Sequence, residues 1–226
     1  MHIKGEKMEN KISVVVPAYN EEKAIGNLVS RIKKNDVYEI LVVDNASIDR
    51  TAELAEIAGA RVVYCKDRGK GYAMEKGIKE AKGDILIFLD GDIENYHNEI
   101  IQLMSNPIIY RDVDFVKGTF DRDGGRVTLL LARPLLKIMF PELDKFNQPL
   151  SGIIAGKKSA FEQITLEKDY GVDVGILLDM YTNDFKIEQA YIGFIQNDSQ
   201  PLQNLEKMAK EVAIAILKRA KKYNRI

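Results

Sequence analysis

The sequence predicts an α/β fold built on a mainly parallel central sheet with helices on both faces. Three observations carry this reading. Short apolar runs at Ile12 to Pro17, Tyr38 to Asp44, Arg61 to Tyr64 and Ile85 to Asp90 are dense in Val, Ile and Leu, the composition of buried parallel strands. Helical stripes lie between the runs, one of Ile25, Leu28, Val29 and Ile32, a shorter one of Leu54, Ile57 and Ala58, and one of Ala73, Met74, Gly77, Ile78 and Ala81. Regular strand–helix alternation implies right-handed crossovers, hence helices on both faces.

The second half is less regular. Asp114 to Phe120 reads as a strand, Val127 to Met139 as a helix interrupted near Pro134, and Lys186 to Ile195 as another strand. A closing helix from about Pro201 carries Leu205, Met208, Val212 and Ile216 on one face. Its basic end, Lys218, Arg219, Lys221, Lys222 and Arg225, reads as a solvated face.

A chain of 226 residues suits one domain and can bury a real core without disulfides or a structural metal. With 33 basic and 34 acidic residues, its net charge of −1 carries no nucleic-acid footprint. The single cysteine, Cys65, excludes a disulfide framework and reads as a small buried hydrophobe. No apolar run approaches the ~20 residues of a membrane span. The charged start of the chain is unlike a signal peptide, and the expectation is a cytoplasmic, soluble protein.

In parallel sheets, ligands bind beyond the carboxyl ends of the strands, and polar residues gather there. Strand one runs into Pro17-Ala18-Tyr19-Asn20-Glu21-Glu22, strand two into Asp44-Asn45-Ala46-Ser47, and strand four into Asp90-Gly91-Asp92. Two carboxylates around a glycine can aim oxygens at a hard cation, Mg²⁺ or Mn²⁺, that would bridge two phosphates. The bland alternative for the triplet is an ordinary Asp-Gly turn. Asp44 could accept hydrogen bonds from a nucleobase or ribose, or cap the next helix, a task that Ser47 and Asp49 could take instead. Lys70, between Gly69 and Gly71, could set an ammonium near phosphates, or lie in a solvated turn. His97 reads as a surface histidine on the following helix.

Val14 to Glu22, Val43-Asp44-Asn45 with Ser47, Asp49 and Thr51, Gly69-Lys70-Gly71, and Leu89 to Asp92 together resemble family-2 type glycosyltransferases. The order and spacing match over roughly the first 120 residues. The resemblance implies a GT-A, Rossmann-like fold in a single domain spanning 1–226, with a nucleotide-sugar-binding half of about 1–120 and an acceptor-binding half of about 121–226. It implies a UDP- or GDP-hexose donor at Pro17, Ala18, Tyr19, Asn20, Glu21, Asp44, Ser47, Lys70 and Asp90, with the metal at Asp92.

Gly125-Arg126-Val127-Thr128, Ala132 to Leu136, Gln148 to Gly152, Tyr170-Gly171-Val172-Asp173 and Pro201-Leu202 are similar to the glucosyl-3-phosphoglycerate synthase family, which is retaining. This implies a small anionic acceptor such as 3-phosphoglycerate at Gly125, Arg126 and Thr128, where arginine offers a forked, permanent cation. It also counts Asp173 with Asp92 among the catalytic residues, although the family has a Glu at that place. After the last strand the family has a histidine metal ligand amid arginines. Here the register gives Asn197, followed by Asp198, and no basic residue. Alternatives are a polyprenyl-phosphate glycosyltransferase acting at a membrane surface and a nucleotidyltransferase. A homodimer is compatible with all of these readings.

Overall fold

A computed structural model describes residues 10–93, 95–121, 125–195 and 202–226. Strands β1 (Ile12–Ala18), β2 (Glu39–Asp44), β3 (Arg61–Tyr64) and β4 (Ile85–Phe88) alternate with helices α1 (Ile25–Ile32), α2 (Thr51–Ala58) and α3 (Lys70–Glu80). Helix α4 (Ile100–Arg111) leads to β5 (Phe115–Asp121). A π-helical turn, Thr128–Ala132, then runs directly into α5 (Arg133–Met139). Strand β6 (Ile154–Lys157), helices α6 (Lys158–Phe161) and α7 (Val172–Thr182), strand β7 (Ile187–Phe194) and helix α8 (Leu202–Lys222) follow.

The seven strands form one sheet in the order β3-β2-β1-β4-β6-β5-β7. Strands β1 to β4 run parallel, as do β5 and β7, while β6 is antiparallel to both of its neighbours. Alternation along β1 explains the layers. Val14 and Val16 pack into a core with α1 and α4, whereas Val15 faces a second core with α3, α7 and α8. In the β1–β2 ladder Ala18 lies opposite Asp44, and in the β1–β4 ladder Val15 lies opposite Phe88. This register brings the polar ends of strands one, two and four to the same edge.

Several elements depart from the sequence reading. Strand β3 is an edge strand, half-buried, with Tyr64 exposed. Ile57 lies outside the apolar stripe expected for α2. It is 72% exposed, and the helix buries Thr51 and Ala55 instead. The helical run from Val127 is interrupted near Pro134, as expected, and takes the form of a π-turn joined to an α-helix. The π-turn comes first and runs straight into α5, of which Pro134 is the second residue. Helix α7 and strand β6 were not legible, and of α4 only a helix following Asp92 was expected, without its bounds. Helix α7 buries nine of its eleven residues and therefore shows no amphipathic period. Arg219 of α8 is buried, not solvated. It pairs with Asp179 at 2.6 Å and with Glu167 at 2.8 Å. Among the described residues no helix is long and apolar enough to cross a membrane.

Candidate active site

The loops after β1 and β2 are stitched together by their own polar side chains. The Asn20 N–H donates to Ser47 Oγ at 3.0 Å, and the Ile48 N–H donates back to Asn20 Oδ1 at 3.0 Å. Glu21 N–H donates to Thr51 Oγ1 at 2.7 Å. Asn20 and Ala46 both hold left-handed backbone, with φ of 57° and 59°, which is unfavourable for alanine and typical of constrained functional loops.

Asp44 does not cap α2, because Asp49 Oδ1 accepts the Thr51 N–H at 3.0 Å. The Asp44 carboxylate is 3% exposed, and its Oδ1 has no hydrogen-bond partner. A buried acceptor left empty is costly, and a ligand N–H or O–H would satisfy it. Arg68 stacks over the ring of Tyr19 at 4.2 Å, one residue past Ala18, which lies opposite Asp44 in the β1–β2 ladder.

Asn45, which the sequence reading passed over as a site residue, organises the next loop. Buried at the end of β2, its amide donates to the carbonyls of Cys65 at 3.4 Å and Asp67 at 2.6 Å, and its Oδ1 accepts the Gly69 N–H at 2.8 Å. These bonds fix the entry to α3 and hence Lys70. Asn45→Ala is expected to lower stability by about 2–3 kcal/mol, at roughly 1 kcal/mol per bond. It should also raise the donor KM several-fold, measured by thermal melting and steady-state kinetics.

The glycines flanking Lys70 serve the protein's own backbone. A Cβ on Gly69 would stand 2.5 Å from the Lys168 carbonyl oxygen, and one on Gly71 would stand 1.7 Å from that of Glu167. Lys70 itself does not lie in a solvated turn. Its ammonium pairs with Asp90 at 2.8 Å and with Asp173 at 3.0 Å. Burial disfavours this ammonium, but the two carboxylates outweigh that, and its pKa is raised. Burial pushes the Asp173 carboxyl pKa up against the pull of Lys70 and Lys117, and its Oδ1 has no partner. Gly152 closes over the pair, since a Cβ there would stand 2.2 Å from Lys70 Nζ and 2.4 Å from Asp90 Oδ1. Tyr96, buried, holds the Asp90 backbone from behind. Its hydroxyl accepts from Asp90 N–H at 2.8 Å and donates to Asp90 C=O at 3.1 Å.

Asp92 is exposed just past this anchor. Its charge is felt by Glu21, whose pKa is pushed up to about 7 by burial, then by Asp92, Asp49 and Asp90. A divalent cation fits this negative potential. Among the described residues no three His, Cys, Asp or Glu side chains converge as a ready metal cage. His97 is exposed, as expected, but it precedes α4 and does not lie on it; its Nδ1 accepts the Glu99 N–H at 3.2 Å. The other expected metal ligand, Asn197, and its neighbour Asp198 lie outside the described residues.

The structure thus joins Lys70, Asp90 and Asp173 in one cluster, Asn20 and Ser47 in another, and Glu21 with the carboxylates after β4. The segment expected to hold the acceptor is divided. Gly125 and Arg126 are exposed, whereas Thr128 is buried in the π-turn. Arg126 lines a cavity of about 430 Å³ with Val127, Leu130, Leu131, Leu205 and Ala209.

Strand-end carboxylates, an orphan buried acceptor and a doubly paired ammonium suit a polar, phosphorylated ligand such as a nucleotide-sugar. Consistent with it, the model of glycosyl transferase family 2 matches residues 13–168, and the chain belongs to that family. Among its relatives, the glucosyl-3-phosphoglycerate synthase of Petrotoga mobilis is 35% identical over 98% of this chain and 77% of the relative. That of Mycolicibacterium smegmatis is 33% identical, covering 96% of this chain and 80% of its own. The crystal structure of the Mycobacterium tuberculosis enzyme with Mn²⁺, UDP-glucose and phosphoglyceric acid superposes with a TM-score of 0.90 at 33% identity, over 95% of this chain and 81% of that one. The protein is a glycosyltransferase with the GT-A fold, as the sequence resemblance implied.

Proposed function

We propose that the protein transfers a hexose from a nucleoside-diphosphate sugar, UDP-glucose by preference, to 3-phosphoglycerate. The observation that carries this reading is the extent of the match. Similarity to glucosyl-3-phosphoglycerate synthases runs through the second half of the chain, beyond the segment shared across family 2. That extent argues against a polyprenyl-phosphate acceptor and against nucleotidyl transfer.

Asp44 Oδ1 would accept from the nucleoside, with Pro17, Ala18, Tyr19, Asn20, Glu21 and Ser47 forming the surrounding wall. Asp90 and Lys70 would face the sugar diphosphate, and Asp173 Oδ1 would accept from a sugar hydroxyl. Asp92 would hold Mg²⁺ or Mn²⁺ together with diphosphate oxygens. Bound there, the cation would supply charge stabilisation for the departing diphosphate. With its raised pKa, Lys70 stays protonated and acts as a fixed positive charge, not as a base. In a retaining transfer the bond from the anomeric carbon to diphosphate breaks. The bond to the acceptor oxygen forms on the same face, and the acceptor proton passes to a diphosphate oxygen. Arg126, with Gly125 and Thr128, would anchor the acceptor. The division into a donor half and an acceptor half would be incomplete, because Gly152 and Asp173 both come from beyond residue 121.

The test is incubation with Mg²⁺ or Mn²⁺, a panel of UDP- and GDP-hexoses, and acceptors including 3-phosphoglycerate, with products identified by mass spectrometry. Hexosyl-phosphoglycerate is the expected product. Donor hydrolysis alone, with every phosphorylated acceptor untouched, would refute the acceptor assignment.

A further inference from the structure

One buried charge has no part in the roles assigned so far. Lys117 lies in the middle of β5, opposite Ile154 of β6 and Gln189 of β7, and is 1% exposed. A lysine in the central layer of a sheet is rare unless paired. Its ammonium donates to the backbone carbonyl of Asp173 at 3.0 Å, in the first turn of α7. The charged groups around it are Asp173 on α7, Lys70 on α3 and Asp90 after β4.

Counting charge across this cluster explains the arrangement. Lys70 alone bonds two carboxylates, Asp90 and Asp173, and would leave one negative charge uncompensated in a poorly solvated place. Lys117 supplies the second cation. We propose that Lys117 is a positioning residue of the transfer site: it ties the first turn of α7 to the sheet and balances the Asp90–Lys70–Asp173 cluster, so that Asp173 keeps its unpartnered Oδ1 available to the donor. The proposal rests on the reading of Asp173 as a donor-sugar contact.

Holding an ammonium inside the sheet costs desolvation. Burial pulls the Lys117 pKa down to about 8, against the attraction of Asp173 and Asp90. A residue kept for packing alone would be better replaced by an apolar side chain of similar length. Retaining a group at odds with stability is what a functional site does.

Two measurements test this. Lys117→Met keeps the length and removes the charge. It is expected to lower kcat roughly tenfold or more, as misplaced catalytic groups do, with the donor KM held within about threefold. The second is a melting cycle at neutral pH: Lys117→Met alone, Asp173→Asn alone, and both together. If the two charges balance, Lys117→Met should be better tolerated in the Asp173→Asn background than in the wild type, by several degrees. Additive melting shifts, or a kcat kept within about threefold of wild type, would overturn the proposal. The cycle needs no turnover. Wild-type protein that consumes no nucleotide-sugar would therefore sink the transfer reading, and the cycle alone would decide the charge arrangement.

Discussion

Lys70→Met is expected to destabilise the protein by about 3 kcal/mol, lowering its melting temperature by roughly 6–12 °C, and to abolish transfer. The substitution leaves Asp90 and Asp173 facing each other with only Lys117 to offset them. Removing one partner of a buried pair typically costs about 3–5 kcal/mol. The lower end applies because the Lys70 and Asp90 side chains keep 26% and 27% of their surface exposed, so water screens part of the repulsion. A differential scan and a kinetic assay would measure both effects. If Lys70 were a solvated turn residue, melting would stay within about 1 °C of the wild type, as for most surface substitutions.

Gly152→Ala should cost less stability than Lys70→Met and still cost most of the activity. The added methyl would stand 2.2 Å from Lys70 Nζ and 2.4 Å from Asp90 Oδ1, closer than any non-bonded carbon contact allows. Because Lys70 is long and flexible, the clash is relieved by displacing the ion pair more readily than by moving the buried backbone that leads into β6. Overpacking of this kind costs about 1–3 kcal/mol. A displacement of about 1 Å at the reacting groups can cost about a hundredfold in kcat. Steady-state kinetics showing a kcat near that of the wild type would mean that the Lys70–Asp90 pair takes no part in transfer.

The residues proposed for the donor side could be picked out from the sequence because they stand at strand or helix ends. Asp44, Lys70, Asp90 and Asp92 each follow or open an element whose periodicity is plain, and parallel sheets bind ligands at that edge. Asp173 could be picked out only through resemblance. It sits in α7, whose burial all round erases the helical period that would have drawn attention to it. Lys117 gave no signal either, since a single lysine in a strand reads as one solvated position. Only the folded arrangement brings it, 56 residues distant in sequence, against the Asp173 carbonyl. Strand β6, four residues including a glycine, was too short and too small in side-chain volume to stand out. The packing role of Gly69 and Gly71 was not legible for a related reason. Their close approach is to the Glu167–Lys168 backbone, a long-range contact that local sequence cannot express.

In the proposed function, the donor diphosphate would be held through a divalent cation at Asp92. Calorimetric titration of UDP into wild type and Asp92→Ala, each with and without Mn²⁺, tests that directly. Wild type should bind UDP at least about tenfold more tightly with the cation, a difference of roughly 1.4 kcal/mol, and Asp92→Ala should lose that enhancement while melting normally. Equal affinities in all four titrations would contradict the account.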